Sequence, residues 1–230
     1  MLTEQDLKPI LLESDPKPVE LELSRTAIIV VDMQNAFANR GGMYDLWVHD
    51  VSNESKIVEP IARIIGAARA KRCHVVYTAH RYSPDLHEMG GPNSFECCKC
   101  REVYDYISHP EWRDKFLARG TWGAEIVEEL KPQEGDIVVE KSRKSAFFET
   151  NLDSILRILN LKYLIFTGLA TNVCVESTIR DAAFRGYFPI LVSDATASFG
   201  PSYIQAATIF NVKLCFGWVT TTDKIMKALS

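Results

Sequence analysis

The stretch Phe166-Thr167-Gly168-Leu169-Ala170-Thr171-Asn172-Val173-Cys174-Val175-Glu176-Ser177-Thr178 decides the fold reading. An apolar run, Tyr163 to Phe166, stops at Thr167-Gly168, and a helical pattern follows at once. Val173, Ser177, Ile179, Ala182 and Ala183 are its expected core-facing positions. A strand passing straight into a helix is the repeating unit of a parallel α/β sheet. The pattern puts Cys174 in the first helical turn, where unpaired N–H groups and the positive end of the helix dipole favour a thiolate. A cysteine aimed out of the carboxyl end of a sheet suits nucleophilic catalysis. The competing reading is a structural cysteine buried in the core.

Two distant strand ends offer partners for that cysteine. Thr26-Ala27-Ile28-Ile29-Val30-Val31 carries five consecutive apolar residues, as a strand buried on both faces does, and ends at Asp32. Asp136-Ile137-Val138-Val139-Glu140 ends likewise at Lys141. Taken singly, Asp32 is as well explained as a cap and Lys141 as a solvated terminus. Together with Cys174 they put a carboxylate, an ammonium and a thiol on one sheet edge.

Outward from these strands the pattern alternates. Strands are expected at 26–32, 74–79, 136–140, 163–167, 188–193 and 213–216, with helices near 53–72, 123–131, 151–160, 173–186, 202–210 and 221–229. Asn151 is an expected helix N-cap and Gly186 a helix terminator. The fold class is therefore α/β, an open, mainly parallel six-stranded sheet with helices on both faces. Residues 1–24 read as a charged, proline-containing lead-in that drapes over the domain or serves subunit contacts, and residues 25–230 as a single domain. Residues 80–122 lack clear periodicity. Long irregular insertions usually form lids or binding loops, and we expect this one to wall the substrate site, with subunit contacts as the alternative.

Composition narrows the function classes. The chain has 230 residues, 47% hydrophobic and 24% charged, enough for one sizeable core, and its net charge of −4 shows no basic stripe for nucleic acid. The cations at Arg69 to Arg72 close a helical pattern, where they complement the dipole. No run approaches the roughly 20 apolar residues of a membrane span, and the first twenty residues do not read as a signal peptide, so a cytoplasmic location is expected. Six cysteines, at 73, 97, 98, 100, 174 and 215, should then be reduced. Cys73 and Cys215 read as core. Cys97-Cys98-Lys99-Cys100 with His87 or His109 could make a zinc site, but the expected second Cys-x2-Cys pair is missing, which argues against it; an oxidation-sensitive loop is the other reading.

The strand ending Asp32-Met33-Gln34, Lys141 after a central strand, and Gly168-Leu169-Ala170-Thr171-Asn172-Val173-Cys174-Val175 occur in the order found in isochorismatase-like cysteine hydrolases, and the chain resembles that family over residues 20–230. Within it, Asn35-Ala36, Gly41-Gly42, Gly91-Pro92, Gly120-Thr121-Trp122, Phe147-Phe148 and Phe216-Gly217-Trp218-Val219 resemble the branch acting on ureidoacrylate or peroxyureidoacrylate. The resemblance implies Cys174 as nucleophile, Asp32 as general base, Lys141 as electrostatic support, and an oxyanion hole from the backbone N–H groups of Ala170 and Cys174, with a cis peptide at Leu169-Ala170. It implies a cysteine-dependent amidohydrolase that releases ammonia and a carbamate from a small ureido acid. No metal or cofactor is expected: nicotinamidases of the family carry Asp-x-His after the second strand, where this chain reads Thr78-Ala79-His80. Isochorismatases proper lack the cysteine. Biuret and N-carbamoyl amino acid hydrolases remain enzymatic rivals, and a scaffold with a relic triad is the non-enzymatic one. For the substrate we expect Phe37, His80, Trp122, Arg143 and Phe148 as walls and carboxylate ligands, with Lys144 and Arg81 as further cations; His80 and Lys144 stand where the resembling enzymes carry an amide and a tyrosine. The expected partners are a small molecule and further copies of the chain.

Overall fold

In the computed structural model, which describes residues 9–48 and 50–230, β1 (Ile10–Leu12) and β2 (Val19–Leu21) pair as an antiparallel hairpin. The other strands are β3 (Thr26–Val31), β4 (His74–His80), β5 (Ile137–Lys141), β6 (Tyr163–Leu169), β7 (Phe188–Ala197) and β8 (Trp218–Thr220). They form one sheet in the order β5-β4-β3-β6-β7-β8, every pairing parallel. The order reverses direction between β3 and β6, so the carboxyl ends of these two central strands open the crevice where ligands of such sheets bind.

The period-2 alternation of strand residues separates two cores. Ile28, Val30, Val75, Tyr77, Ile165 and Ile190 face one layer; Ala27, Ile29, Val31, Val76, Leu164 and Leu191 face the other. The helices are α1 (Asn35–Ala38), α2 (Met43–Val48), α3 (Ser52–Lys56), α4 (Val58–Ala70), α5 (Phe95–Lys99), α6 (Arg101–Ser108), α7 (Leu152–Ile158), α8 (Glu176–Phe184), α9 (Ser202–Asn211) and α10 (Thr222–Leu229). Ile61, Ile64 and Ile65 of α4 and Ile225 and Leu229 of α10 cover the first face. Leu152 and Leu156 of α7 and Ile179 and Ala182 of α8 cover the second. Gly186 ends α8 at φ +82°, a left-handed position suited to glycine.

Several expectations are corrected. The lead-in is partly strand: Leu12, Val19 and Leu21 are buried in the first core, and Asp15 bridges to Val219. Residues 1–8 lie outside the described region. The last strand is Trp218–Thr220, whereas Val212–Phe216 is a π-helical continuation of α9. Gly217 separates them, and a Cβ there would lie 2.1 Å from the Pro189 carbonyl oxygen, so only glycine lets the chain turn down beside β7. Cys215, on that π turn, is exposed rather than core; Cys73 is buried. The helix expected at 123–131 is two 3-10 turns, Trp122–Ala124 and Glu128–Leu130. Between them Ile126 bridges to Gln34, and the Val127 N–H donates to Met33 O at 3.0 Å, which pulls the backbone out of helix. The insertion at 80–122 is more ordered than its composition suggests, since it contains α5 and α6. Asn151 holds the N-cap position of α7 without a side-chain cap; Thr150 Oγ1 instead accepts from the Leu152 N–H.

Candidate active site

β3, β4 and β5 end level with one another, with Val31 opposite Thr78 and His80 opposite Lys141. Asp32 leaves β3 in the left-handed region (φ +50°). Its N–H donates to Thr78 O at 3.0 Å, and its Oδ1 accepts from Thr78 Oγ1 at 3.1 Å. Gln34 holds the two strand ends together. Its Nε2 donates to His80 O and Ala124 O, both at 2.9 Å, and its Oε1 accepts from the His80 N–H at 2.7 Å. A buried amide making three such bonds explains why glutamine follows Asp32-Met33.

Lys141, the last residue of β5, turns its fully buried Nζ to Asp32 Oδ2 at 2.7 Å and to Cys174 Sγ at 3.5 Å. A third bond, to Arg143 O at 3.0 Å, fixes the ammonium. Burial pulls Lys141 down, but Asp32 and Cys174 outweigh it, and its pKa stands above the ordinary lysine value.

Cys174 lies on a π turn, Thr171–Val175, between β6 and α8. Gly168 makes this placement possible: it sits at φ +103°, and a Cβ there would lie 2.1 Å from Val31 O, so β6 can hug β3 only with glycine. The Leu169-Ala170 peptide is cis, and the N–H groups of Val173 and Val175 both return to Ala170 O, at 3.0 and 3.2 Å. Thr178 Oγ1 donates to Cys174 O at 2.6 Å and accepts from the Ala146 N–H at 3.1 Å, tying the cysteine turn to the loop after β5. The buried face of this segment is Val175, Thr178, Ile179 and Ala182; Val173, Ser177 and Ala183 are only half-buried.

The helix entrance does not give a resting thiolate, contrary to the expectation from the dipole. Burial pushes the Cys174 thiol up to about 12, Asp32 adds to this, and Lys141 and Lys144 pull only partly the other way. The side chain rests as a thiol beside a carboxylate that can accept its proton. His80 is buried next to Lys141, Lys144 and Arg143, and burial followed by these cations holds its pKa well below 6.5, so its imidazole is neutral.

Asp32, Leu169, Ala170 and Cys174 form the floor of a cavity of about 360 Å³. Phe37 and His80, both expected at the substrate, line it. Three other expected residues do not. Trp122 lines a separate groove with Asn35, Arg81 and Val138. Phe148 is half-exposed and outside the lining. Arg143 is turned away, held by Glu96 at 3.5 Å, by Glu88 O at 2.9 Å and by Ser142 O at 3.1 Å. Arg81 is engaged by Glu140 at 3.0 Å. In their place stand residues that sequence reasoning passed over or left as spare cations: Tyr44 and Trp47 on α2, Phe199 after β7, Lys144, and the α5–α6 junction with Lys99, Arg101 and Glu102. Tyr44 stacks on Phe199 (centroids 3.4 Å apart) and lies 5.5 Å from Phe37, an apolar wall for a flat ligand. The amphipathic spacing of α2 was the available signal for Tyr44 and Trp47.

Donor atoms of Asp32, His80 and Cys174 lie within 4.8 Å of one another, a spacing a metal ion can use. The Lys141 ammonium 2.7 Å from Asp32 already supplies positive charge there, and a dication would have to sit beside it. Cys97 and Cys98 point to the carbonyls of Met89 and Pro92, and the Cys100 thiol donates to Glu96 Oε2 at 2.6 Å. Among the described residues these three cysteines form no metal-binding group with His87 or His109.

A thiol and a proton acceptor on the floor of a cavity, with a fixed ammonium buried behind them, can carry acyl transfer through sulfur. Known proteins share this frame. Residues 26–224 match the isochorismatase domain. Ureidoacrylate amidohydrolase RutB of Agrobacterium fabrum is 43% identical over 95% of this chain and 96% of its own, and that of Yersinia enterocolitica is 43% identical over 96% of both. Among solved structures, a cysteine hydrolase from Pseudomonas syringae pv. phaseolicola superposes with a TM-score of 0.79 at 32% identity, covering 96% of this chain and 97% of that one. N-carbamoylsarcosine amidase from Thermoplasma acidophilum superposes at 0.63 with 27% identity, covering 86% and 97%. The agreement runs through the sheet, the cysteine turn and nearly the whole length, and on it the chain belongs to the isochorismatase family.

Proposed function

We propose that this hydrolase is a cysteine-dependent amidohydrolase that cleaves the ureido C–N bond of a small ureido acid, ureidoacrylate or peroxyureidoacrylate, releasing ammonia and a carbamate. The observation that carries the reading is the triad geometry, Lys141 Nζ at 2.7 Å from Asp32 and 3.5 Å from Cys174, on the floor of a cavity sized for a small linear acid. The relatives named ureidoacrylate amidohydrolase support the substrate class.

In this reading Asp32 takes the thiol proton while sulfur bonds to the ureido carbon, because a thiol with a pKa of about 12 does not ionise beforehand. Lys141 keeps both partners in place and offsets the developing negative charge. The N–H groups of Ala170 and Cys174 hold the oxyanion. The tetrahedral adduct collapses, Asp32 gives its proton to the departing amine, and ammonia leaves a thiocarbamate, R–NH–C(=O)–S, on Cys174. Water then adds to that carbonyl with Asp32 again as base, releasing the N-carboxy product and the thiol. No metal or cofactor enters these steps.

The segment at 80–122 acts as the outer wall of the cavity through α5 and α6. The chain works as a homo-oligomer in the cytoplasm. Supporting the first of these, α9 and the turn after it leave Tyr203, Phe210 and Leu214 between 58% and 70% exposed; light scattering on the purified protein reads the mass directly. Among the described residues no helix is long and apolar enough to cross a membrane.

Ammonia release across ureidoacrylate, biuret, N-carbamoyl amino acids and nicotinamide tests the substrate. Ureidoacrylate should be turned over fastest. Faster turnover of biuret would transfer the proposal to biuret hydrolysis, and no release from any of them would favour a scaffold.

A further inference from the structure

Four cations stand near the cavity, and their partners separate them. Lys141 is fully engaged by Asp32, Cys174 and Arg143 O. Arg101 lies over the Trp47 ring at 4.8 Å and pairs with Asp105 at 3.1 Å. Lys99 is exposed at the rim, with no ion pair among the described residues. Lys144 differs from all three. It follows β5 by three residues, lines the same cavity as Cys174, and is close enough to bear electrostatically on the nucleophile. Its Nζ pairs with one carboxylate, Glu102 of α6, which lines the cavity too.

Beside the nucleophile the other charges are balanced, and Lys99 is the cation at the rim with no ion pair among the described residues. Asp32 and Lys141 neutralise each other, and His80 is neutral. Burial acts against the Lys144 ammonium, but Glu102 and, after it, Cys174 together outweigh it, so the lysine stays charged. The Glu102 side chain is 14% exposed and that of Lys144 38%, so Lys144 is the more accessible member of the pair, and both line the cavity. An ammonium has three donors, and one carboxylate oxygen uses one of them.

We propose that Lys144 determines specificity by binding the carboxylate of the ureido acid, and that Glu102 makes with Lys144 the contact the substrate carboxylate competes for. The inference rests on the ureido-acid reading above and adds to it the residue that recognises the acid end. A neutral ureide offers the remaining donors of Lys144 only an uncharged acceptor and gains little. An anionic one gains a charge-assisted bond and meets repulsion from Glu102. Removing Lys144 should therefore weaken the acid selectively, and neutralising Glu102 should strengthen it. Arg143, turned toward Glu96 and Glu88 O, has no such part.

The test uses the Cys174→Ala variant, in which binding is measured without turnover. The probes are 3-ureidopropionate and its uncharged counterpart 3-ureidopropionamide, titrated calorimetrically. The acid should bind more tightly than the amide. Adding Lys144→Met should weaken the acid by about tenfold to a hundredfold, the usual range for a bond to a charged group, and the amide by at most a tenth of that factor. Lys144→Arg should keep most of the preference, and Glu102→Gln should enlarge it. Equal losses for acid and amide, or an unchanged ratio in both Lys144→Met and Glu102→Gln, would overturn the proposal. Because binding is read in the variant without the thiol, the two readings fail separately. Lys144-dependent binding with no ammonia release by the unaltered enzyme sinks the proposed reaction alone. Release with a Lys144-independent ratio sinks this inference alone.

Discussion

At and just behind the floor of the cavity, Asp32, Lys141 and Cys174 are each at most 6% exposed; the first two come from strand ends whose register the parallel ladders set, and Cys174 from the turn that follows β6. On the outer wall, Lys99, Arg101 and Glu102 come from α5, of five residues, and α6, of eight; Arg101 and Glu102 are held by side-chain ion pairs, and Lys99 has none among the described residues. The floor therefore has almost no alternative arrangement. Moving Asp32 or Lys141 leaves a buried charge unpaired, a cost of several kcal/mol. The wall can change a side chain for about 1 kcal/mol or less per exposed pair. In the proposed reaction the first region sets the reaction type and the second the substrate choice.

The contrast breaks most readily at the floor. Cys174→Ala should abolish turnover while leaving the melting temperature within a few degrees. Asp32→Asn should cost on the order of 10² to 10⁴ in kcat, the range for loss of a general base. Lys141→Met should lose comparable activity and also stability, about 3–5 kcal/mol, because Asp32 is left buried and unpaired. Steady-state kinetics with thermal melts on the three variants separate these outcomes, and an active Asp32→Asn would remove its assigned role.

A second effect falls on the join between β3 and β6. Gly168→Ala places a Cβ against Val31 O and adds strain at a left-handed φ. It should destabilise by on the order of 3 kcal/mol, read as a drop of roughly 6–12 °C in a melt.

The third concerns pH. The unfolded chain protonates His80 near its ordinary value of 6.5, whereas the folded one resists until well below it. Below pH 6.5 the unfolded state thus binds one more proton, and stability falls as pH falls, by up to about 1.4 kcal/mol per unit, until the folded pKa is reached. The stabilising contribution is fully present above pH 6.5. Melts at pH 7.5 and pH 5 should differ more for the unaltered protein than for His80→Gln; an equal difference would contradict the buried neutral imidazole.

The smallest effects sharpen the comparison from outside the cavity. Arg143→Ala and Phe148→Ala should change KM by less than about threefold, the scatter of a surface change, and a chelator should leave the rate unaltered. A large KM change for either variant would bring the loop after β5 into the binding wall.

The sequence made the floor legible for a physical reason. Buried parallel strands read as unbroken apolar runs, and the residue after such a run must emerge at the sheet edge, so Asp32, Lys141 and Cys174 could be placed without knowing any contact. The turn at Gly168 was visible for the same reason. The wall was not legible. Trp122 and Phe148 looked like candidates because aromatic residues flank the motifs, yet one faces the groove beside Arg81 and the other the surface. Tyr44 and Trp47 share one face of the short helix α2, a weak local signal, but their meeting with Phe199 is packing between segments far apart in the chain, which no local pattern encodes. The final strand was misplaced because Val212–Phe216 is apolar enough for a strand, and its helical period, continuing α9, is too short to assert itself. The state of Cys174 was misjudged because a helix entrance argues for a thiolate only when water or cations outweigh burial, and here burial is the larger effect.

Trapping the covalent intermediate tests the role of Cys174 most directly. The enzyme is mixed with a ureido acid, quenched in acid within the first turnovers, and its mass and peptide map are recorded. The mechanism predicts an adduct heavier by the substrate less ammonia, carried on the peptide containing Cys174 and absent from Cys174→Ala. Turnover with no adduct at any quench time and undiminished rates in Cys174→Ala, or an adduct on Cys100 instead, would contradict it.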